Sequence, residues 1–170
     1  MSKRVSLIQF QQDLSARLQN AAAHTTLSSR LGVRVGTENW LVDLSEISEV
    51  IAPLACVRVP LAQPWLLGVS NIRGKLYGVV DLPAFSGQAA VTPSVDNRLL
   101  LVHSHFAVNA ALLVNQTLGL RNLDLYQQQN STATDAEWLH GHCQDDQAVI
   151  WKSLDMRTLV THPVFLQAGV

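Results

Sequence analysis

Residues Gln63 to Leu82 read Q-P-W-L-L-G-V-S-N-I-R-G-K-L-Y-G-V-V-D-L. Their spacing predicts a turn, a short apolar segment, a second turn and a strand. Pro64 has its φ fixed by its ring and suits the first position of a helical turn. Trp65, Leu66, Leu67 and Val69 are apolar and need a surface to bury against. Asn71 and Gly74 bracket the second turn, because both tolerate backbone angles that other residues avoid. Arg73 lies inside that turn with a charge that cannot be titrated away. Leu76, Tyr77, Val79 and Val80 then form an apolar strand that Asp81 stops. No nucleophile, base and acid fall together here. The stretch has the character of a shaped surface with one fixed cation, which points to recognition rather than chemistry.

Working outward, the 170 residues suffice for one domain or two small, tightly joined ones. With 48% hydrophobic and 15% charged residues the chain can build a core, and so low a charged fraction implies apolar surface that partners cover. A net charge of −1 argues against a general nucleic-acid binder, which needs a basic face. Cys56 and Cys143 have neither metal nor redox spacing and read as reduced thiols of a cytoplasmic protein. No signal-peptide core follows Lys3 and Arg4, and the most apolar window, Leu99 to Val114, is interrupted by His103, Ser104, His105 and Asn109. No insertion into a membrane is expected.

Leu7, Phe10, Leu14, Leu18 and Ala21 recur at helical spacing, so residues 5–23 are expected to form an amphipathic helix. That helix either packs on its own domain or docks on another protein. His24 to Arg30 reads as a linker. Strands are expected at Leu31–Val35, Trp40–Leu44, Val57–Val59, Leu76–Leu82, Arg98–His103, Phe106–Asn115, Trp138–Cys143, Ala148–Lys152 and Val164–Leu166. Gly36 to Asn39 makes a hairpin turn and Ser86 to Asn97 a loop. Ser45 to Ile51 reads as one or two helical turns after a serine cap, and Met156 to Val160 as another short helical turn. Gln127 to Asp135 is polar and expected to be mobile.

A faint internal repeat runs through this order. Trp65-Leu66-Leu67-Gly68-Val69 is echoed by Trp138-Leu139-His140-Gly141-His142, each followed by a turn and an apolar strand leading to Asp81 or Asp155. Leu41-Val42-Asp43 is echoed by Leu113-Val114-Asn115. Used twice, the pattern implies two small β-barrels, since either half has too few strands to protect its edges as an open sheet.

V-x-V-x-x-x-x-W-L-V-D-L, then I-S-E-V-I, Val59-Pro60, P-W-L-L-G-V-S-N-I-R-G-K-L and V-V-D-L together resemble the CheW-like coupling domains of bacterial chemosensory systems, over residues 31–166. The added N-terminal helix and the G-V-S-N-I-R-G wording are most similar to the twitching-motility branch, the PilI-like adaptors of type IV pilus systems. The resemblance implies a mainly β fold of two five-stranded SH3-like barrels around a shared apolar seam, here about 31–96 and 97–166, behind an N-terminal helix and linker over 1–30. It implies no catalysis and no cofactor. Such proteins bridge the cytoplasmic tip of a methyl-accepting receptor and the regulatory domain of a CheA-type histidine kinase, on the cytoplasmic side of membrane-bound receptor arrays.

By the same resemblance the family's turn arginine falls on Arg73 and its acidic companion on Glu49, and the two are expected to pair. Removing one partner costs about 3–5 kcal/mol if the pair is buried and about 0–1 if it is exposed. Partner contacts fall around Ile47, Glu49, Val50, Gly68, Asn71, Arg73, Gly74 and Leu76, with Gly68 expected to admit a partner's backbone. Gly78, Pro83 and Asn115 depart from the family's usual residues.

Two other functions come from different classes. One is a β-barrel that senses a metabolite in the inter-barrel groove. The other is an enzyme or metal protein using His103, His105, His140, His142 and Cys143. These lack the fixed pair spacing of a structural zinc site, so no metal is expected. Asp145-Asp146 reads as a hairpin turn. Ser70 lies outside any G-x-S-x-G elbow, and Gly74-Lys75 is not a phosphate loop.

Overall fold

The structure, a computed structural model, describes residues 29–129 and 136–169. The helix expected over 5–23 lies outside them. Ser29 and Arg30, taken from their polarity as linker, instead open strand β1 (Ser29–Val35), where Arg30 pairs with Asp43 at 2.8 Å. β1 turns through Gly36–Thr37 into β2 (Glu38–Asp43), with Val35 opposite Glu38. There follow β3 (Ile47–Ile51), β4 (Leu66–Ile72), β5 (Lys75–Asp81), β6 (Arg98–Val102), β7 (Ala110–Val114), β8 (Gln116–Asn122), β9 (Gln127–Gln129), β10 (Leu139–Gln144) and β11 (Ile150–Leu154). Three short helices complete the described chain: α1 (Leu82–Phe85), α2 (Met156–Thr161) and α3 (Pro163–Leu166).

The chain is mainly β, in two sheets ordered β8-β1-β2-β11-β10-β9 and β3-β6-β7-β5-β4. Both are built alike: an antiparallel hairpin, β1–β2 or β6–β7, lies parallel to one strand of a second hairpin, β10–β11 or β4–β5. The end strands are exchanged. β3 follows β2 of the first sheet but pairs with β6 of the second, and β8 follows β7 of the second but pairs with β1 of the first. Each exchanged strand then bends to the far edge of its new sheet. β8 passes through a 3₁₀ turn at Leu123–Leu125 into β9, which pairs with β10. The chain after β3 reaches Val57, which exchanges two 2.8 Å backbone hydrogen bonds with Val69 of β4. Counting each bent strand once gives five strands per barrel. The expected division at 96/97 therefore does not describe the sheets, because both draw strands from both sides of it.

The repeat has a structural counterpart. The Asp81 N–H donates to the Trp65 carbonyl at 2.8 Å, and the Asp155 N–H donates to the Trp138 carbonyl at 2.8 Å. Each aspartate then caps a helix, Asp81 through the Ala84 N–H and Asp155 through the Thr158 N–H. Leu82 and Phe85 of α1, Met156 and Leu159 of α2 and Phe165 of α3 join Val33, Trp40, Leu100 and Leu112 from both sheets in one core at the seam. Smaller clusters fill the barrels themselves, around Leu99, Leu101 and Ala111 in one and Leu41, Cys143 and Trp151 in the other. Two of the departures from the family find local uses. The Asn115 side chain accepts from the Gly36 N–H at 2.6 Å, and Pro83 sits in the first turn of α1.

Several expectations are corrected. Of the stretch read as helical turns, only its start lies in a 3₁₀ turn, Leu44–Glu46, capped by Asp43 rather than Ser45, and Ile47–Ile51 is a strand whose burial alternates. Leu66–Ile72 is a full strand, and the tight turn after it is Arg73–Gly74. Val57–Val59 contributes one bridge rather than a strand. Phe106–Asn115 is a strand only from Ala110, the chain before it being a 3₁₀ turn over Ser104–Phe106. Val164–Leu166 belongs to α3, because Pro163 and the His162 cap start a helix there. Gln127–Gln129, expected to be mobile, pairs with β10, while 130–135 lie outside the described residues.

Gly68 is fixed by this architecture. Its φ is +144°, and a Cβ there would stand 2.2 Å from the Val57 carbonyl oxygen. Gly74 also has a positive φ, +83°, but open space around it. Urea unfolding should therefore show Gly68→Ala costing more than about 2 kcal/mol, against about 1 kcal/mol for Gly74→Ala.

Candidate docking surface

The β4–β5 hairpin projects the residues singled out from the sequence. Its two turn residues, Arg73 (φ +53°) and Gly74 (φ +83°), both adopt left-handed angles, the mirror-image turn whose twist matches the flanking strands. The Asn71 side chain stabilises it by accepting from the Gly74 N–H at 2.9 Å. The Arg73 guanidinium then donates to Glu49 Oε1 at 2.6 Å. Glu49 lies on β3, at the opposite end of the sheet order from β4. The pair therefore spans the two edges that the sheet's curl brings together. The Ser70 hydroxyl joins the same edges by donating to the Ala55 carbonyl at 3.0 Å.

The pair forms as expected, but in water. The Arg73 side chain is 77% exposed and that of Glu49 32%, so the energetics of an exposed pair apply. Asn71 and Leu76 stand opposite each other in the hairpin register, both exposed, and Val50 is exposed on β3. Two of the expected contact residues do not face outward. Ile47 is buried in the seam core, and Gly68 is covered by the protein's own backbone at Val57 and Arg58. Glu49, Val50, Asn71, Arg73, Gly74 and Leu76 remain as outward-facing candidates.

Beside them lies surface that was missed. Leu54, Val57, Val59 and Leu61, on and beyond the segment that closes the barrel, are exposed apolar residues. A hollow of about 340 Å³ opens next to them between Val59, Pro64 and Leu67. The only sequence signal was a run of valine, leucine and proline with neither strand alternation nor helical spacing.

The described histidines do not gather into one site. His103 and His105 do meet, with Nδ1 atoms 2.7 Å apart, at the 3₁₀ turn that His103 caps. His140 pairs with Asp155 at 3.2 Å, and Cys143 is buried against Trp151. Among the described residues no three His, Cys, Asp or Glu converge as metal ligands. Asp145 holds the β10–β11 turn, accepting from the Trp151 indole and the Val149 and Gln147 N–H groups, contacts that lower its pKa. Among the described residues Glu46 is the one carboxyl group whose pKa rises, because burial and the nearby charges of Asp43 and Asp155 disfavour its ionised form. Asp155 shifts the other way. The bonds from Thr158 and the nearby His140 outweigh burial and lower its pKa.

Comparison with known proteins places this geometry. The family model described as CheW-like domain matches residues 30–164. The chain is 28% identical to Protein PilI of Pseudomonas aeruginosa over 146 residues, 84% of this chain and 80% of that protein. It is 26% identical to Chemotaxis protein CheW of Helicobacter pylori over 91 residues, 54% of this chain and 55% of that one. The crystal structure of scaffolding protein TtCheW from Thermoanaerobacter tengcongensis shares the fold, with a TM-score of 0.67 at 18% identity, over 81% of this chain and 94% of that one. Among the described residues no helix is long and apolar enough to cross a membrane.

Two outcomes follow from the electrostatics. A double-mutant cycle of Arg73→Ala and Glu49→Ala should give a coupling below about 1 kcal/mol that weakens further in high salt. The raised Glu46 pKa stabilises the fold at acid pH, and that contribution is lost as pH rises through the folded-state value. Glu46→Gln should therefore raise Tm at pH 7 by about 1–3 °C and leave it nearly unchanged at pH 4, read by thermal melts at the two pH values.

Proposed function

The chain belongs to the CheW-like domain family, and on that premise we propose that it is a non-enzymatic adaptor of a pilus-dependent twitching-motility pathway. It couples the cytoplasmic tip of a methyl-accepting receptor to the regulatory domain of a CheA-type histidine kinase. The likeness to Protein PilI carries this reading, since it extends over 84% of the chain. The β4–β5 hairpin supports it. A rigid turn displays a cation already oriented by Glu49, beside the exposed Leu76 and Val50. A partner that brings a carboxylate to Arg73 and an apolar side chain to Leu76 finds both held in place, so little ordering entropy is lost on docking. Each such contact is expected to be modest, under about 1,200 Å², and to gain strength from repetition in an array.

A metabolite-sensing groove between the barrels is the second reading, and aromatic side chains of the described residues stand at that seam. The Phe85 ring packs edge-on against Trp65 at 5.0 Å and against Phe165 at 5.4 Å, filling the seam with aromatic side chains.

Calorimetric titration of the full chain with a CheA-type regulatory domain, and separately with a receptor tip fragment, tests the proposal. The wild type should bind both. Leu76→Asp, at an exposed position, should weaken one of the two at least tenfold with Tm unchanged. Binding to neither partner would overturn the function, and wild-type affinity of Leu76→Asp for both would remove the hairpin from the interface.

A further inference from the structure

A second apolar surface lies on the other barrel, where β8 bends into β9. Leu120 and Leu125 are 65% and 74% exposed. They border a hollow of about 460 Å³ whose rim also carries Arg121, Tyr126, Asp145 and Asp146. In the β1–β8 ladder Leu120 stands opposite Leu31, which belongs to the seam core. The core's apolar surface thus continues outward at Leu120 without a cover among the described residues. In the same ladder Ser29 stands opposite Asn122, so the chain preceding β1 enters the fold at the edge of this hollow.

We propose that residues 5–23 of this chain cover that surface, laying the stripe of Leu7, Phe10, Leu14 and Leu18 across Leu120, Leu125 and Tyr126. The reach is short. Residues 24–28 span at most about 17 Å, which keeps the end of a helix over 5–23 close to Asn122. A helix of that length measures about 28 Å, enough to cross the hollow. Tethered so closely, the stripe meets Leu120 at an effective concentration in the millimolar range, ahead of a free partner. The charges are complementary as well, since the segment carries Arg17 and Asp13 and the rim carries Asp145, Asp146 and Arg121. The opposite barrel keeps its own exposed residues, Leu54 to Leu61, free for a partner, so the segment seals one barrel and leaves the other open.

Thermal melts, sedimentation and hydrogen exchange on the full chain test this, with Leu14→Asp, Leu125→Asp and the double variant. Leu125→Asp alters a residue that would be solvated if nothing covered it. Each single substitution should lower Tm by about 2–5 °C, and the double variant should fall no further than the worse single. Leu14→Asp should speed exchange of the Leu120 to Tyr126 amides at least tenfold, with the protein monomeric throughout. Leu14→Ala serves if the aspartate variant does not fold. An unchanged Tm in Leu125→Asp, additive losses, deprotection at Leu54 to Leu61 instead, or a dimer that Leu14→Asp splits would each overturn the proposal, the last in favour of a second copy as the occupant.

Discussion

Two backbone hydrogen bonds between Val57 and Val69 hold the five-stranded sheet in its curled form. Without them β4 would present a bare edge to solvent, a template for unwanted pairing. They exist because Gly68 has no Cβ. Any side chain there would occupy the position of the Val57 carbonyl, and the backbone angle itself suits only glycine. Ser70 and the Arg73–Glu49 pair reinforce the closure at further points along the same line. Of these contacts the ion pair contributes least to stability, being exposed. Its effect is to orient the Arg73 guanidinium on a hairpin that the backbone bonds have already made rigid.

The strand exchange gives the repeat its physical meaning. Neither barrel is complete without a strand that begins in the other, so the two must form together around the shared seam. The matched Trp–Asp hydrogen bonds, Trp65 with Asp81 and Trp138 with Asp155, fix the same hairpin-to-helix geometry in both. Between those common frames the charges are reversed. One hairpin tip carries Arg73 with its acidic partner on β3, and the other carries Asp145 with Arg121 of β8 among the groups that lower its pKa. One scaffold thus offers two differently charged ends.

Much of this was legible in the residues. The apolar runs bounded by glycine and aspartate located most of the strands, and the Trp-to-Asp repeat announced two barrels. The Arg73–Glu49 pair came from the family resemblance rather than from spacing. Three things stayed hidden. β8, Q-T-L-G-L-R-N, alternates too weakly to read as a strand, because its register against β1 shifts at Leu118, beside Gly119. Ile47–Ile51 resembled a capped helical turn because Ser45 suits such a cap, and only the pairing with β6 selects the strand. Gly68 resembled an opening for a partner. Only the path of the chain back to β4 reveals that its neighbour is Val57 of the same molecule. A sequence shows which residue lacks a side chain but not what fills the space.

The closure of that barrel can be observed directly by residue-resolved hydrogen exchange of the Val57 and Val69 amides in the full chain. If the bent strand locks the sheet, both should exchange only through global unfolding, as slowly as the buried Leu112 amide of β7. Exchange within seconds, while Leu112 stays protected, would mean that the segment after β3 is a loose flap and that the hairpin does not stand on a closed barrel.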